Sequence, residues 1–318
     1  MIYIPDFKDI IKAEELIRPY IKRTPVMTCQ SLNIIAGADI YFKCENFQKV
    51  GAFKFRGASN AVFSLTDEEA ARGVATHSSG NHAQALALAA KMRGIKSYIV
   101  MPNNSPQVKK DAVAGYGAEI IFCEPTLEAR ESTLKTVTDK TGAIFIHPYD
   151  NAKVIAGQGT AAMELLDEIK NLDCVIAPVG GGGLLSGTAL SVKALSPKTT
   201  VIAAEPEGAD DAARSFKAGH IIPSVKPDTI CDGLLTSLGE RNFEIISNNV
   251  SDIITVSEPA IKQAFRLIWE RMKIIVEPSS AVTLALVLEK KIDLRDKKIG
   301  LIISGGNVDL ARLPGYLE

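Results

Sequence analysis

Short apolar runs alternate with longer helix-compatible stretches along almost the whole chain. Ile40-Tyr-Phe-Lys-Cys44, Gly73-Val-Ala-Thr-His77, Ser97-Tyr-Ile-Val-Met101, Glu119-Ile-Ile-Phe-Cys123 and Ala143-Ile-Phe-Ile-His147 read as strands. So do Cys174-Val-Ile-Ala177, Thr200-Val-Ile-Ala-Ala204 and Gly300-Leu-Ile-Ile-Ser304. Between them lie the helix-compatible segments Ala83–Met92, Ser105–Ala114, Glu128–Thr138 and Gly159–Ile169. Near-continuous apolar strands joined by such helices predict an α/β protein whose mostly parallel sheets are covered on both faces. One group of strands falls between Gly73 and His147, with the others before and after it. Residues 73–152 are therefore expected to form a small lobe inserted into a larger one made of 1–72 and 153–318. No internal repeat or low-complexity linker interrupts this pattern.

The 318 residues suffice for two lobes, and 46% hydrophobic with 23% charged residues is the balance of a globular protein with a sizeable core. A formal net charge of −1 provides no basic footprint for nucleic acid. No apolar run approaches the length needed to span a bilayer, and the first residues lack the basic-then-apolar pattern of a secretory signal. Cys29, Cys44, Cys123, Cys174 and Cys231 are scattered, without Cys-x-x-Cys spacing. They are expected to be buried thiols in a reducing compartment, which makes a cytoplasmic metabolic protein the default.

The run Gly51-Ala-Phe-Lys-Phe-Arg-Gly-Ala58 sets Lys54 between two phenylalanines. One reading is ordinary strand alternation, with Lys54 and Arg56 facing water. The other is a desolvated lysine whose lowered pKa makes it a nucleophile able to form a Schiff base with an aldehyde.

Three loops bear on that choice. Gly180-Gly-Gly-Gly183, followed by Leu184, lies between a strand and a helix. Its bare N–H groups and the helix N-terminus suit a phosphate. A P-loop would need Gly-Lys-Ser/Thr, which is missing, and the dinucleotide fingerprint fails in both registers, since the residues five after Gly180 and Gly181 are Leu185 and Ser186. Glu205, beyond the next strand, does mimic a ribose-binding acid, so a non-covalent nucleotide-binding protein stays open. His77-Ser-Ser-Gly-Asn-His82 sits at a strand's carboxyl end, where hydroxyls, amides and free N–H groups suit a carboxylate, although Ser78 or Asn81 alone reads as a helix cap. Ser304-Gly-Gly-Asn307 follows the last apolar strand; a hydroxyl there can meet a ring nitrogen.

Taken together, a Phe-Lys-x-Arg-Gly lysine, Ser-Ser-Gly-Asn-His, a tetraglycine loop and Ser-Gly-Gly-Asn occur in the order found in fold-type II pyridoxal-phosphate enzymes, the tryptophan synthase β-like fold. The chain resembles the serine racemase / threonine (serine) dehydratase branch over essentially its whole length. Phe55-Arg56-Gly57 after the lysine separates it from the cysteine-synthase-like branch. The resemblance implies pyridoxal 5′-phosphate bound as a Schiff base at Lys54, with Phe53 beside the ring and Asn81 at the 3′-oxygen. Gly180, Gly181, Gly182, Gly183 and Leu184 would hold the phosphate, and Ser304 would face the pyridine nitrogen. A neutral Ser304 would leave that nitrogen unprotonated and the electron sink weaker, which suits proton exchange and β-elimination. Ser78, Ser79, Asn81 and His82 would receive the substrate carboxylate. Ser79 would face Lys54 across the cofactor, so that Cα can be protonated from either side.

The same resemblance implies activity on small β-hydroxy amino acids: serine racemisation with serine or threonine dehydration, or 3-hydroxyaspartate ammonia-lyase activity. It places Arg130, His147 and Asp232 around the substrate entry, with Arg130 the candidate for an acidic β-substituent. Glu205, the Ala209 carbonyl and Asp211 resemble a divalent-cation site, and all-oxygen ligands suit Mg²⁺, Mn²⁺ or Ca²⁺; on the residues alone the segment also reads as a solvated acidic turn capping the helix that follows. A homodimer and a nucleotide effector are expected by the same resemblance. The chain ends soon after Ser304, so no C-terminal regulatory domain is expected.

Overall fold

A computed structural model describes residues 2–317. Ten strands form two sheets: β1 (Val26–Met27), β2 (Asp39–Cys44), β3 (Val74–His77), β4 (Ser97–Pro102), β5 (Glu119–Cys123), β6 (Ile144–Phe145), β7 (Cys174–Pro178), β8 (Thr200–Pro206), β9 (Asp252–Val256) and β10 (Lys298–Ile303). The six-stranded sheet runs β1-β2-β10-β7-β8-β9, parallel except for β1, which pairs antiparallel with β2. The four-stranded sheet runs β5-β4-β3-β6 and is parallel throughout. The α/β reading with parallel sheets holds.

Strand alternation explains why both faces are covered. In β7, Cys174 and Ile176 point to one apolar cluster while Val175 and Ala177 point to another. β8 repeats this, with Ile202 and Ala204 on the first face and Val201 and Ala203 on the second. The first cluster is closed by the helices Glu258–Leu267 and Pro278–Glu289, the second by Ala152–Glu168 and Gly183–Leu195. Pro278 opens its helix at a position where its missing N–H costs nothing, and residues 278–287 of that helix are all buried.

The small sheet is built the same way. Val74, Ile99 and Met101 face the helices Lys54–Phe63 and Asn81–Arg93, while Ala75, Tyr98 and Val100 face Leu134 and Val137 of the helix Leu127–Thr141. Strand order reverses between β3 and β6, which opens a crevice beyond the carboxyl end of β3. In the large sheet, β2, β10 and β7 are adjacent and parallel, so the segments after Cys44, Ile303 and Pro178 emerge side by side.

Several expectations shift. The stretch after Phe53 is the helix Lys54–Phe63 instead of an alternating strand, and Arg56 is fully buried. Its guanidinium reaches Glu45 at 2.7 Å and Glu164 at 2.7 Å, and Glu164 also takes Lys43 at 2.6 Å. The ion quartet allows a charge in the core that alternation would have put in water. β1 and β9 were not anticipated; β1 has only two residues, and β9 carries Asp252 and Thr255 among its apolar positions. All five cysteines are free thiols, four buried and Cys29 half-buried beside Ser31.

Candidate active site

Lys54 is the first residue of its helix, and the preceding Phe53 N–H donates to the Ser304 carbonyl at 2.9 Å. A bridge between Ala52 and Gly305 fastens the same corner to the end of β10. The ammonium lies 5.1 Å from the Phe53 ring centroid and donates to the Pro148 carbonyl at 2.9 Å. Burial lowers its pKa to about 8, while the carboxylate of Glu277 acts the other way. Ser304 is buried, and its hydroxyl meets that of Ser280 at 2.9 Å.

The glycine loop follows β7. Among the described residues, the N–H groups of Gly180, Gly181, Gly182 and Gly183 make no backbone hydrogen bond. Gly182 has φ +93°, open to glycine at little cost, and a Cβ on Gly181 would stand 2.4 Å from the Tyr149 ring. The loop is fixed from behind: the Gly181 carbonyl accepts from the Asn242 amide at 2.8 Å and from the Gly239 N–H at 3.2 Å. Free N–H groups at the start of the helix Gly183–Leu195 form an anion cup that side chains would fill. Leu184 is buried behind it in the core of the large sheet.

Beyond β3, Ser78, Ser79 and Gly80 lead into the helix Asn81–Arg93, whose first N–H groups face no partner among the described residues. Ser78 accepts from the Gly80 N–H at 3.3 Å, and the Ser79 side chain is half-buried. Asn81 is held at both ends. It accepts from Asn307 at 2.8 Å and donates to the Glu277 carboxylate at 3.0 and 3.1 Å. His82 turns inward, where Nε2 meets the Ile146 carbonyl at 3.3 Å and burial drives the ring well below its usual pKa. Its imidazole is thus a neutral core group, and its backbone N–H is the part that faces the loop.

His147 accepts at Nδ1 from the N–H groups of Tyr149 and Asp150, at 3.3 and 2.9 Å. Burial lowers its pKa to about 4. Lys54, His147, Asn81, Ser304 and the glycine loop therefore share one crevice. Arg130 and Asp232 are less engaged. Arg130 donates to the Thr126 carbonyl of its own helix at 3.3 Å, and its charge reaches His77. Asp232 pairs with Lys109 at 2.7 Å.

Apart from this crevice, Glu205 and Asp211 are both buried. Glu205 caps the helix Asp211–Ala218, accepting from the N–H groups of Ala212 and Ala213 at 2.9 and 2.8 Å, so the capping holds, but these two acids are buried and not solvated as that reading expects. Burial raises Glu205 to about 8 and Asp211 to about 6. Asp211 also keeps one buried oxygen without a partner among the described residues, and Ala209 is buried beside them.

Glu277, Tyr149 and Asn242 join this site without standing among the candidates that the sequence offers. Glu277 did carry a signal: it stands between the apolar run Ile274-Ile-Val276 and Pro278, the same placement of a charge among apolar neighbours that marked Lys54.

A desolvated amine, an anion cup and a neutral hydroxyl at the end of a parallel strand suit an aldehyde cofactor bearing a phosphate. The chain belongs to the pyridoxal-phosphate dependent enzymes, whose family pattern it matches over residues 17–305. It is 53% identical to the beta-hydroxyaspartate dehydratase of Paracoccus denitrificans, over 98% of this chain and 99% of that protein. It is 48% identical to the L-threo-3-hydroxyaspartate ammonia-lyase of Saccharomyces cerevisiae, over 97% of this chain and 95% of that protein. The crystal structure of serine racemase from Dictyostelium discoideum superposes with a TM-score of 0.92 at 54% identity, covering 96% of this chain and 99% of that one. The chain is a fold-type II enzyme using pyridoxal phosphate.

Proposed function

We propose that this enzyme acts on small β-hydroxy amino acids, racemising serine and dehydrating serine or threonine. The observation that carries the reading is the desolvated Lys54 amine set in one crevice with the anion cup and the Ser78–Asn81 loop. The glycine N–H groups would hold the cofactor phosphate, Lys54 its aldehyde carbon, Asn81 its 3′-oxygen and Ser304 its ring nitrogen. When bound, the cofactor supplies the electron sink that makes the Cα proton of an amino acid acidic. The loop hydroxyls of Ser78 and Ser79 and the N–H groups opening the helix Asn81–Arg93 orient the substrate carboxylate. Lys54, with its pKa lowered to about 8, takes and returns a proton at Cα on its own face. Ser79 does so on the other face, which gives racemisation; loss of the β-hydroxyl instead gives elimination.

A second reading is favoured by the Paracoccus relative: 3-hydroxyaspartate as substrate, with Arg130 taking the β-carboxylate. Borohydride should fix the cofactor on Lys54, located by peptide mapping. A panel of L-Ser, D-Ser, L-Thr and the 3-hydroxyaspartate diastereomers, with chiral product analysis, then separates the readings. Turnover of none of these would sink both.

Glu205, the Ala209 carbonyl and Asp211 we assign to a divalent cation such as Mg²⁺, Mn²⁺ or Ca²⁺. Two buried carboxylates suit such a cation, with Asp211 raising the proton affinity of Glu205 and keeping an unpartnered oxygen of its own. Residues 73–152 we read as the lobe that carries the substrate loop. A homodimer, a nucleotide effector and a reducing, cytoplasmic location complete the proposal; light scattering and assays with an added nucleoside triphosphate test the first two.

A further inference from the structure

Glu277 bonds the Asn81 side chain and also touches the turn after β10 at Gly305 and Asn307, so it stands at the centre of their contacts. It is the N-cap of the helix Pro278–Glu289, and its N–H donates to the Gly305 carbonyl at 3.0 Å. Space around the carboxylate is closed: a Cβ on Gly305 would come within 2.9 Å of Oε1. Asn307 uses its amide N–H groups on the Val50 carbonyl, at 2.7 Å, and on the Asn81 oxygen, at 2.8 Å. That leaves the Asn81 nitrogen to face Glu277 at 3.0 and 3.1 Å. A donor at one end and a carboxylate at the other permit only one orientation of the Asn81 amide.

We propose that Glu277 is a positioning residue of the active site: its carboxylate holds the Asn81 amide in one orientation and sets a buried negative charge against the Lys54 nitrogen. This rests on Lys54 being the cofactor lysine. The charged and titratable groups that face Glu277 are Lys54, Asp232, the Cys231 thiol and Lys109. Burial and Asp232 favour its protonated form, while the Asn81 amide, Lys109 and the Asn307 N–H favour the carboxylate. Burial drives both Lys54 and Glu277 toward neutrality, and the charge of Glu277 draws Lys54 back toward its ammonium form.

The test uses the full-length holoenzyme and its Glu277→Gln and Glu277→Asp variants. Glutamine can still accept from Asn81 but carries no charge, so it separates orientation from electrostatics. The visible band of the bound cofactor is titrated with pH, with circular dichroism to establish that each variant is folded. The cation at the Lys54 nitrogen loses its counter-charge in Glu277→Gln, so the transition falls by about one pH unit, a tenfold loss of proton affinity. Glu277→Asp recovers part of that shift. A transition in Glu277→Gln unmoved from wild type, or moved upward, overturns the inference.

If Glu277→Gln does not fold or bind cofactor, wild-type protein carrying ¹³C at its glutamate carboxyls decides. One carboxyl signal titrating well above the ordinary range must move when borohydride fixes the cofactor on Lys54; if every raised signal stays in place, the inference fails. If borohydride fixes nothing on Lys54, the reading of the site and this inference fall together. A fixed cofactor with an unshifted Glu277→Gln titration removes this inference alone.

Discussion

Lys54 and Pro148 lie on different sides of the crevice, and the ammonium of the first donates to the carbonyl of the second at 2.9 Å. The contact joins the start of the helix Lys54–Phe63 to the segment that leaves the small sheet after β6. The Tyr149 ring, next along that segment, lies against Gly181. One short stretch thus touches both the amine and the anion cup.

Lys54 should leave a signature in stability as well as in catalysis. Its pKa is about 8 in the folded protein against an ordinary 10.5. Without cofactor, the unfolded chain holds this proton between those values while the native protein has released it. The group therefore adds stability as pH rises from 8 to 10.5, and its burial cost is present in full below 8. Lys54→Met should unfold at a higher temperature than the wild-type apoprotein at pH 7, with the gap closing toward pH 10.5. The same variant should lose the visible band and at least a thousandfold in turnover.

Ser79→Ala should separate the two reactions. Formation of D-serine from L-serine falls at least a hundredfold, while elimination from L-serine stays within a few-fold of wild type. Chiral chromatography beside a keto-acid assay measures both. Equal losses would show that Ser79 serves a step shared by the two routes.

The buried quartet under Lys54 predicts a stability effect with a known sign. Arg56 and Glu45 are fully buried and bonded at 2.7 and 2.8 Å. Glu45→Gln leaves the guanidinium with one carboxylate fewer, and breaking such a pair costs about 3–5 kcal/mol. Denaturant unfolding should show the loss, and a paired Glu45→Leu, Arg56→Met variant should recover part of it.

Chelation tests the buried acids near β8. Removing divalent cations should lower the melting temperature of the wild type, and added Mg²⁺ or Mn²⁺ should restore it. Asp211→Asn removes one of the two repelling carboxylates, so that variant should melt at the same temperature with and without chelator.

Much of this was legible because the chemistry sits at strand ends. Lys54, the glycine loop, the Ser78–Asn81 loop and Ser304 each follow or adjoin a local pattern that a sequence displays. What escaped depends on partners distant along the chain. Arg56 looked like a surface charge because Glu45 and Glu164, which neutralise it, lie 11 and 108 residues away. Glu277 did not stand out because Asn81, the partner that gives it a role, is 196 residues upstream. β1 was too short to register, and it exists only because β2 offers Lys43 and Phe42 as pairing partners.

The helix Lys54–Phe63 precedes the small sheet in sequence, but Phe55, Ala58, Ala61 and Val62 share a cluster with Val74, Leu86 and Ile99. Its Gly57 packs so tightly on the helix Ala152–Glu168 that a Cβ would come within 2.7 Å of the Val154 carbonyl. Excising residues 73–152 and rejoining the ends would strip this helix of its apolar cover, leaving a sticky, aggregation-prone surface. For anyone engineering chimeras, the exchangeable module must therefore include the helix Lys54–Phe63 together with the small sheet that covers it.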